Sequence, residues 1–502
     1  MNFGRIRDRV KASVDRLLLG GTLRAKAMRG GVFLAGGSVA EQAIRFVRNM
    51  LLARLLAPGA FGAMAIVNAS ASIVGTLTEV GLKASVIQNP RGGEKEYLNA
   101  SWWMGMGRAI CTYLIIFAMA PLVAHFYGNS ELSPLLRVAL LSVLFDGAMS
   151  PRSVLPQKEM KFERWVAISN GGGISGVILT IILSFVLRDV WALAIGACSE
   201  SAFRCILSYI LCPGLPSLRW NGTVARDLYS YSRGVIGLSF LNLIFIRTDI
   251  FVLGKLLSTT QLGIYTMGVG LIQTPAVFLV AMLAQTLFPA FAHVQGDNER
   301  INRILIEVTS WLILLGLPVV VVVFLCGQSL LSVVYGTRYA AAAGPLALAT
   351  AVVFLNALNA SITCVFSGVG RPELHRRAVA ASAVVMIIVI YPACKLLGMV
   401  GGQVAALLAI SASYLLQIVR MRGLTGLKLF RYGRAFLPAG LVSAGVLVVG
   451  LSARSFGLAT RPLANIALSA SACVIAYALC VPAFLKIKQD PVGSPSSARV
   501  DG

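Results

Sequence analysis

The sequence predicts an all-α polytopic membrane protein with about 14 transmembrane helices, on two observations. The first is composition: 57% of the residues are hydrophobic and 13% are charged, with a mean hydropathy of +0.79. A soluble protein carries about twice that charged fraction. The second is the length of the apolar runs, such as CTYLIIFAMAPLVA (111–124) and WLILLGLPVVVVVFLC (311–326). With their small and mildly polar flanks, these runs reach the roughly 20 residues that a spanning helix needs.

Apolar runs of this kind recur along the chain and are joined by short connections. The predicted spans are 31–53, 61–82, 98–124, 135–155, 166–187, 190–212, 229–253, 262–290, 304–327, 342–368, 377–396, 399–419, 435–453 and 463–485. No connection between them is long enough to form a separate soluble domain.

The distribution of Lys and Arg between the connections tests this division and predicts the orientation. Connections on one side of the membrane, counted alternately from the N-terminus, carry 30 of the 44 Lys and Arg residues, and those on the other side carry 7. Cytoplasmic loops are enriched in Lys and Arg, and a wrong number of spans would scramble the alternation. The sequence therefore predicts an even number of spans with both termini in the cytoplasm.

Composition and motifs argue against several other classes of protein. The formal net charge of +24 does not indicate a nucleic-acid partner, because the basic residues are dispersed over many short connections. The nine cysteines lie in or beside apolar stretches, with no CxxC pair or Cys/His cluster that would suggest a metal site. The GxxxxGK[ST], GxSxG and HExxH motifs do not occur. We therefore expect no cofactor, no metal and no enzymatic activity.

The chain contains an internal repeat that predicts two related halves. LLARLLAPGAFGAMA (51–65) aligns without a gap on VLGKLLSTTQLGIYT (252–266), which pairs Gly62 with Gly263. A second pair of segments, FYGNSELSPLLRVALLSVLFD (126–146) and VYGTRYAAAAGPLALATAVVFLN (334–356), follows in the same order. Six spans separate the copies, so the halves have the same orientation and are related by an axis along the membrane normal.

On this basis we predict two six-helix bundles followed by two extra C-terminal helices. The predicted segments are a cytoplasmic basic N-terminal segment at 1–30, bundles at 31–212 and 229–419, a cytoplasmic linker at 213–228, helices 13 and 14 at 435–485, and a tail at 489–502. The tail is rich in Pro, Ser and Gly, which predicts disorder.

Charged residues inside the predicted spans are candidates for a functional site, because burying charge in lipid is costly. Glu41, Arg45 and Arg48 in the first span are spaced by four and three residues and share one helical face. One glutamate cannot neutralise two arginines, which predicts a hydrated cavity beside them. Further groups are Asn242, Arg247 and Asp249 in the seventh span, Asp146 in the fourth, and Glu200 and Arg204 in the sixth. The last two can neutralise each other as a structural i,i+4 pair.

Segments from about residue 30 to 485 resemble the polysaccharide-biosynthesis (Wzx-like) flippases of the MOP exporter superfamily. They include LLARLLAPGAFG (51–62), TEVGLKASVIQ (78–88), EKEYLNASWW (94–103), LFPAFAHVQGD (287–297) and GVGRPE (368–373). The resemblance implies a V-shaped transporter of two six-helix bundles in the bacterial inner membrane. Its cargo would be an undecaprenyl-diphosphate-linked oligosaccharide for exopolysaccharide, capsule or O-antigen export, flipped by alternating access. Membrane lipids, a polysaccharide polymerase and a co-polymerase are the further partners that it implies.

The resemblance also assigns roles to the charged residues. Members of the family have a cationic central cavity with arginines in the first span, which matches Arg45 and Arg48 beside Glu41. Asn242, Arg247 and Asp249 would face these arginines from the second bundle. Glu41, Asp146 and Asp249 are the candidates for carrying a coupling proton or sodium ion.

Two alternatives stay open from the sequence. A drug/cation antiporter of the same superfamily would have a cavity dominated by carboxylates and aromatic rings. A membrane polysaccharide polymerase or ligase would place its active groups on a long periplasmic loop, whereas the longest predicted periplasmic loop has about fifteen residues.

Overall fold

The computed structural model describes residues 23–78, 81–217, 221–232, 236–455 and 462–489, and no β-strand occurs within these ranges. Most of the predicted N-terminal basic segment and nearly all of the predicted tail lie outside the described residues. The chain divides into two compact units, one up to Thr266 and one from Met267.

The first unit contains the helices that carry every predicted site residue. Its helices are α1 (Leu23–Leu55), α2 (Pro58–Leu77), α3 (Leu82–Gln88), α4 (Lys95–Tyr127), α5 (Leu132–Ala139), α6 (Leu141–Gly147), α7 (Leu155–Lys158), α8 (Phe162–Leu187), α9 (Trp191–Leu211), α10 (Gly222–Ser232), α11 (Ile236–Leu256) and the start of α12 (Thr259–His293). Two 3₁₀ segments, Pro90–Gly93 and Pro151–Val154, precede α4 and α7.

The second unit begins inside α12 and is built around a continuous apolar core. Its further helices are α13 (Asn298–Val334), α14 (Ala343–Gly368), α15 (Pro372–Leu397), α16 (Met399–Thr425), α17 (Leu429–Arg434), α18 (Phe436–Ser455) and α19 (Pro462–Gln489), with a 3₁₀ segment at Thr337–Ala342. Phe291, Leu305, Leu358, Phe366 and Met421 are fully buried in that core.

Each of the fourteen predicted spans overlaps helical segments of the described chain, and the spans 61–82 and 229–253 also include a few residues outside it. By length and composition, ten of these segments are suited to crossing a membrane, or eleven if one bent pair counts as a single span. The helices α1 and α11 are not among them, and α19 is apolar over a shorter length. The all-α membrane fold is therefore confirmed, and the number fourteen stays a prediction.

Large apolar side chains on the outside of the helices also fit a membrane protein. Val186, Phe324 and Leu396 are 74%, 66% and 81% exposed. Water-soluble monomers rarely expose broad apolar surfaces.

The predicted fourth span is not one straight helix. The chain bends by 77° between Leu132–Gly147 and Pro151–Lys158. Pro151 has no backbone N–H and disfavours helical geometry at the preceding residue. Ser150 is accordingly out of the helical region (φ −48°, ψ 133°), and its Oγ donates to the carbonyl oxygen of Cys212 at 2.6 Å. The bend leaves Asp146 on the last turn before the break.

The predicted boundary between the bundles, at 213–228, stays a prediction. The helix α11 and the start of α12, which would open the second bundle, belong to the first compact unit.

Outside the spans of that unit, two hydrogen bonds from Arg91 hold the pKa of Glu94 below its usual value, so this ion pair orders the turn before α4.

Glycines bring α1, α8 and α9 close together and so position the candidate site. A Cβ atom at Gly37 on α1 would lie 2.6 Å from Cγ1 of Val166 on α8. On the other side of α8, a Cβ at Gly172 would lie 2.9 Å from Cα of Arg204, and one at Gly176 would lie 2.7 Å from Cα of Glu200. Small residues four apart let helix backbones approach closely in membranes. The side chains of α9 therefore come within reach of α1.

Candidate functional site

The first-span residues form the predicted stripe on α1. The Nε and Nη2 atoms of Arg45 donate to Oε1 of Glu41 at 3.1 and 3.0 Å. Arg48 follows one turn later, with its Nε and Nη2 atoms 3.3 and 3.2 Å from Oδ1 of Asn49. Both guanidinium groups are partly buried, with 31% of the Arg45 side chain and 22% of the Arg48 side chain exposed.

Glu200 on α9 contacts more arginines than the sequence indicated. Its Oε1 accepts hydrogen bonds from Nη2 of Arg45 and from Nη2 of Arg204, both at 2.7 Å. Its Oε2 lies 4.0 Å from Nη1 of Arg48. The sequence suggested a self-contained Glu200–Arg204 pair, whereas the structure makes Glu200 the link between α1 and α9.

Asp146 extends this group of charges toward α6. Its Oδ1 lies 3.5 Å from Nη1 of Arg204. It also lines a cavity of about 360 Å³ together with Lys83, Trp102 and Arg108. We refer to Glu41, Arg45, Arg48, Asp146, Glu200 and Arg204 as the charged cluster.

The α11 residues lie in a different environment from the charged cluster. Asp249 is buried and accepts a 2.6 Å hydrogen bond from the hydroxyl of Tyr265 on α12. Among the described residues, no hydrogen bond or ion pair joins Arg247 or Asp249 to Arg45 or Arg48. The side chain of Asn242 lies outside the described part of the structure. The face-to-face arrangement that the resemblance implies stays a prediction.

The charged cluster balances its own charge and still presents cations. It contains three arginines and three carboxylates, so the unpaired cation inferred from α1 alone is not required. The Nε atom of Arg204 is nevertheless buried without a hydrogen-bond partner. Guanidinium groups bind phosphate and carboxylate oxygens in a bidentate manner, and more strongly where water is excluded. The cluster can therefore bind an anionic group once a carboxylate moves aside.

A signal for Glu200 was present in the sequence. Ionisable residues within membrane spans usually pair with one another across helices. The excess cation of the first span and the carboxylate of the sixth were therefore candidates for mutual pairing.

Among the described residues, no group of three or more His, Cys, Asp or Glu side chains is arranged to hold a metal ion.

Comparison with known proteins gives the chain a family. Residues 51–344 match the model of a family described as polysaccharide biosynthesis protein. The chain is 22% identical over 408 residues to the lipopolysaccharide biosynthesis protein WzxC of Escherichia coli, covering 79% of each chain. It is 24% identical over 302 residues to the succinoglycan biosynthesis transport protein ExoT of Rhizobium meliloti, covering 59% of this chain and 60% of that one.

Solved structures confirm the fold. The lipid II flippase MurJ in an inward closed conformation matches with a TM-score of 0.72 at 10% identity, over 91% of this chain and 99% of that one. An inward-facing multidrug resistance MATE transporter of the MOP superfamily matches with a TM-score of 0.59 at 14% identity, over 78% and 98%. These likenesses confirm the MOP-type fold, and the family model covers more than half of the sequence. The chain is a multi-pass membrane protein that belongs to the polysaccharide biosynthesis protein family.

Proposed function

We propose that this protein flips an undecaprenyl-diphosphate-linked oligosaccharide from the cytoplasmic to the periplasmic leaflet of the bacterial inner membrane, by alternating access. The observation that carries the proposal is the gathering of Arg45, Arg48 and Arg204 from two predicted membrane spans around one site. Family membership supports a role in polysaccharide assembly.

The chemistry of the cargo matches the charged cluster. A lipid diphosphate is an anion that must leave the polar surface of one leaflet to reach the other. Guanidinium groups offer paired N–H donors that match phosphate oxygens, and they remain charged inside a membrane protein. A partly exposed group of three arginines can thus replace the water that the diphosphate loses.

The orientation is part of the proposal. The excess of Lys and Arg on one set of connections supports cytoplasmic termini and an inner-membrane location. Reporter fusions test it: those after residues 90, 160, 220, 297, 373 and 428 should read cytoplasmic, and those after 128, 258, 336 and 457 periplasmic. Two adjacent reversals would require a different span count.

A genetic experiment tests the proposed cargo. Deleting the gene from its host should stop export of one polysaccharide and leave undecaprenyl-diphosphate-linked oligosaccharide in the membrane fraction. The wild-type gene should restore export, and Arg48→Ala should not. Arg137→Ala is a matched control, because this arginine lies over the Phe117 ring at 4.2 Å, outside the charged cluster.

The same deletion separates the rival functions. Unchanged polysaccharide with increased sensitivity to a cationic dye would identify a drug/cation antiporter instead. Oligosaccharide that is exported but left unpolymerised would indicate a polymerase or ligase. The likeness to a MATE transporter supports the fold alone and does not favour the antiporter.

A further inference from the structure

One carboxylate occupies the centre of the charged cluster. Glu200 is 12% exposed, and its Oε1 accepts from Arg45 and Arg204 at 2.7 Å each. Its Oε2 is 4.0 Å from Arg48, beyond hydrogen-bonding distance. Glu200 thus holds two arginines directly and faces a third.

This position is the one that an anionic ligand would take. A carboxylate and a phosphate group use the same guanidinium donors and the same bidentate geometry. The present arrangement does not use all of these donors, since Nε of Arg204 is buried without a partner. A diphosphate has more oxygens than a carboxylate and could engage Arg45, Arg48 and Arg204 together.

Glu41 is the other carboxylate that contacts Arg45, and it differs from Glu200 in the helix on which it lies. Glu41 lies one turn from Arg45 on the same helix, so their contact depends only on the helical spacing. Glu200 lies on α9 and its contact with Arg45 joins two helices. Releasing Glu200 therefore removes a link between α1 and α9, whereas releasing Glu41 does not.

We propose that Glu200 is a displaceable counterion that occupies the diphosphate site in the unloaded protein and gives way when the ligand enters. The inference rests on the proposed function and adds a specificity-determining residue to it. Three arginines and three carboxylates balance one another, so an incoming dianion gains little unless a carboxylate leaves. Return of Glu200 to the arginines then favours release of the cargo, because a transported ligand must bind well enough to enter and weakly enough to leave.

Equilibrium binding tests the proposal. Purified full-length protein in zwitterionic nanodiscs is titrated with undecaprenyl diphosphate, with undecaprenol as the uncharged comparison, and occupancy is measured by native mass spectrometry. Glu200→Gln keeps the shape of the side chain and removes the competing charge. It should bind undecaprenyl diphosphate about tenfold more tightly than wild type and release it more slowly. A residue that merely supports the fold would instead weaken binding when replaced.

Two further variants make the comparison specific. Glu94→Gln removes one charge from an exposed ion pair outside the cluster and should leave the affinity unchanged. Glu200→Asp shortens the side chain by one methylene and should also tighten binding, which keeps the test available if Glu200→Gln fails to fold.

The outcomes are distinguishable. Wild-type or weaker affinity in a well-folded Glu200→Gln or Glu200→Asp protein overturns this inference and leaves the proposed function standing. A wild-type protein that binds undecaprenyl diphosphate no better than undecaprenol overturns both.

Discussion

Among the three arginines of the charged cluster, Arg48 lies farthest from a carboxylate. Its guanidinium lies against the side chain of Asn49, and its nearest carboxylate oxygen is 4.0 Å away. Arg45, by contrast, holds both Glu41 and Glu200. Removing Arg45 takes a cation away from both Glu41 and the more deeply buried Glu200, and this is destabilising because a carboxylate inside the protein is left with less compensation. Arg48 is therefore the cleaner probe of ligand binding.

Arg48→Ala should abolish polysaccharide export while the protein remains in the membrane at the wild-type level. Arg48→Lys should restore export only in part, since an ammonium group keeps the charge and loses the bidentate geometry. The measurement is secreted polysaccharide together with an immunoblot of the membrane fraction. Arg45→Ala should abolish export as well, with a lower protein level. Full export by the Arg48→Ala and Arg45→Ala variants would refute the cationic site.

The hydrogen bond between Tyr265 and Asp249 gives a prediction about stability. Tyr265→Phe removes the 2.6 Å bond to a buried carboxylate and should lower the free energy of unfolding by about 1–2 kcal/mol. Thermal unfolding in detergent measures the change. Tyr127→Phe is the control, because the Tyr127 hydroxyl is buried without a partner and its loss should not destabilise the protein. Equal effects of both substitutions would contradict this account of Asp249.

The sequence identified the charged residues of the site but not all of the side chains that they contact on other helices. The spacing of Glu41, Arg45 and Arg48 predicts their shared face, because neighbours on one helix follow from its geometry. The contact from Glu200 to Arg45 depends on which helices pack together, and residue spacing does not contain that information. The contact of Asp249 with Tyr265 likewise joins two helices and does not follow from residue spacing, and the place of Asp249 in the cavity stays a prediction.

The helices α2 and α12 cross where their equivalent glycines meet. A Cβ atom at Gly62 would overlap the carbonyl oxygen of Thr259 and lie 2.9 Å from the backbone nitrogen of Gly263. A Cβ at Gly263 would overlap the carbonyl oxygen of Pro58 in the same way. Pro58 and Thr259 are themselves repeat equivalents, so the crossing is symmetric. The repeat in the sequence thus corresponds to a contact in which each copy packs against the other.

Gly62→Ala should prevent this close crossing and favour a state in which the starts of α2 and α12 are apart. Overpacking of this kind typically costs about 1–3 kcal/mol. We expect reduced export and faster labelling of an introduced Ala57→Cys by a membrane-impermeant maleimide. Gly75→Ala on the same helix is the control, since its Cβ would meet no atom within 4 Å. Unchanged labelling and export in Gly62→Ala would show that the crossing is not required.

The sequence predicted membrane helices well where the length of the apolar run is the only information needed. The runs at 111–124 and 311–326 lie inside the long helices α4 and α13. The bend in the predicted fourth span was missed because Pro151 was counted as part of an apolar run, although the residue before a proline seldom stays helical. Ser150 stabilises that break through bonds to the end of α9, which only the folded chain provides.

For the whole molecule, alternating access predicts motion at the α2–α12 crossing. Ala57 and Ser258 directly precede these helices and are related by the repeat. In a background without the native cysteines, Ala57→Cys with Ser258→Cys should crosslink through a short bismaleimide and lose export. Either cysteine alone should keep export after the same treatment. Efficient crosslinking with unimpaired export would show that this rim does not move.

The overall organisation was predicted in part. Composition and the Lys/Arg alternation indicated a membrane protein because both follow directly from the bilayer. The bundle boundary at 213–228 stays a prediction, and contacts such as Gly254 with Tyr127 place α11 in the first compact unit. Those contacts join residues far apart in the chain, and the repeat does not specify them.

If the proposed function is right, a lipid diphosphate passes through a site that contains Arg48. Reconstituted proteoliposomes test this by following the transfer of an undecaprenyl-diphosphate-linked fluorescent sugar between leaflets. We predict transfer with the wild-type protein and with Arg137→Ala, and none above empty liposomes with Arg48→Ala. Transfer by Arg48→Ala at the wild-type rate, or none by the wild-type protein, would contradict the account.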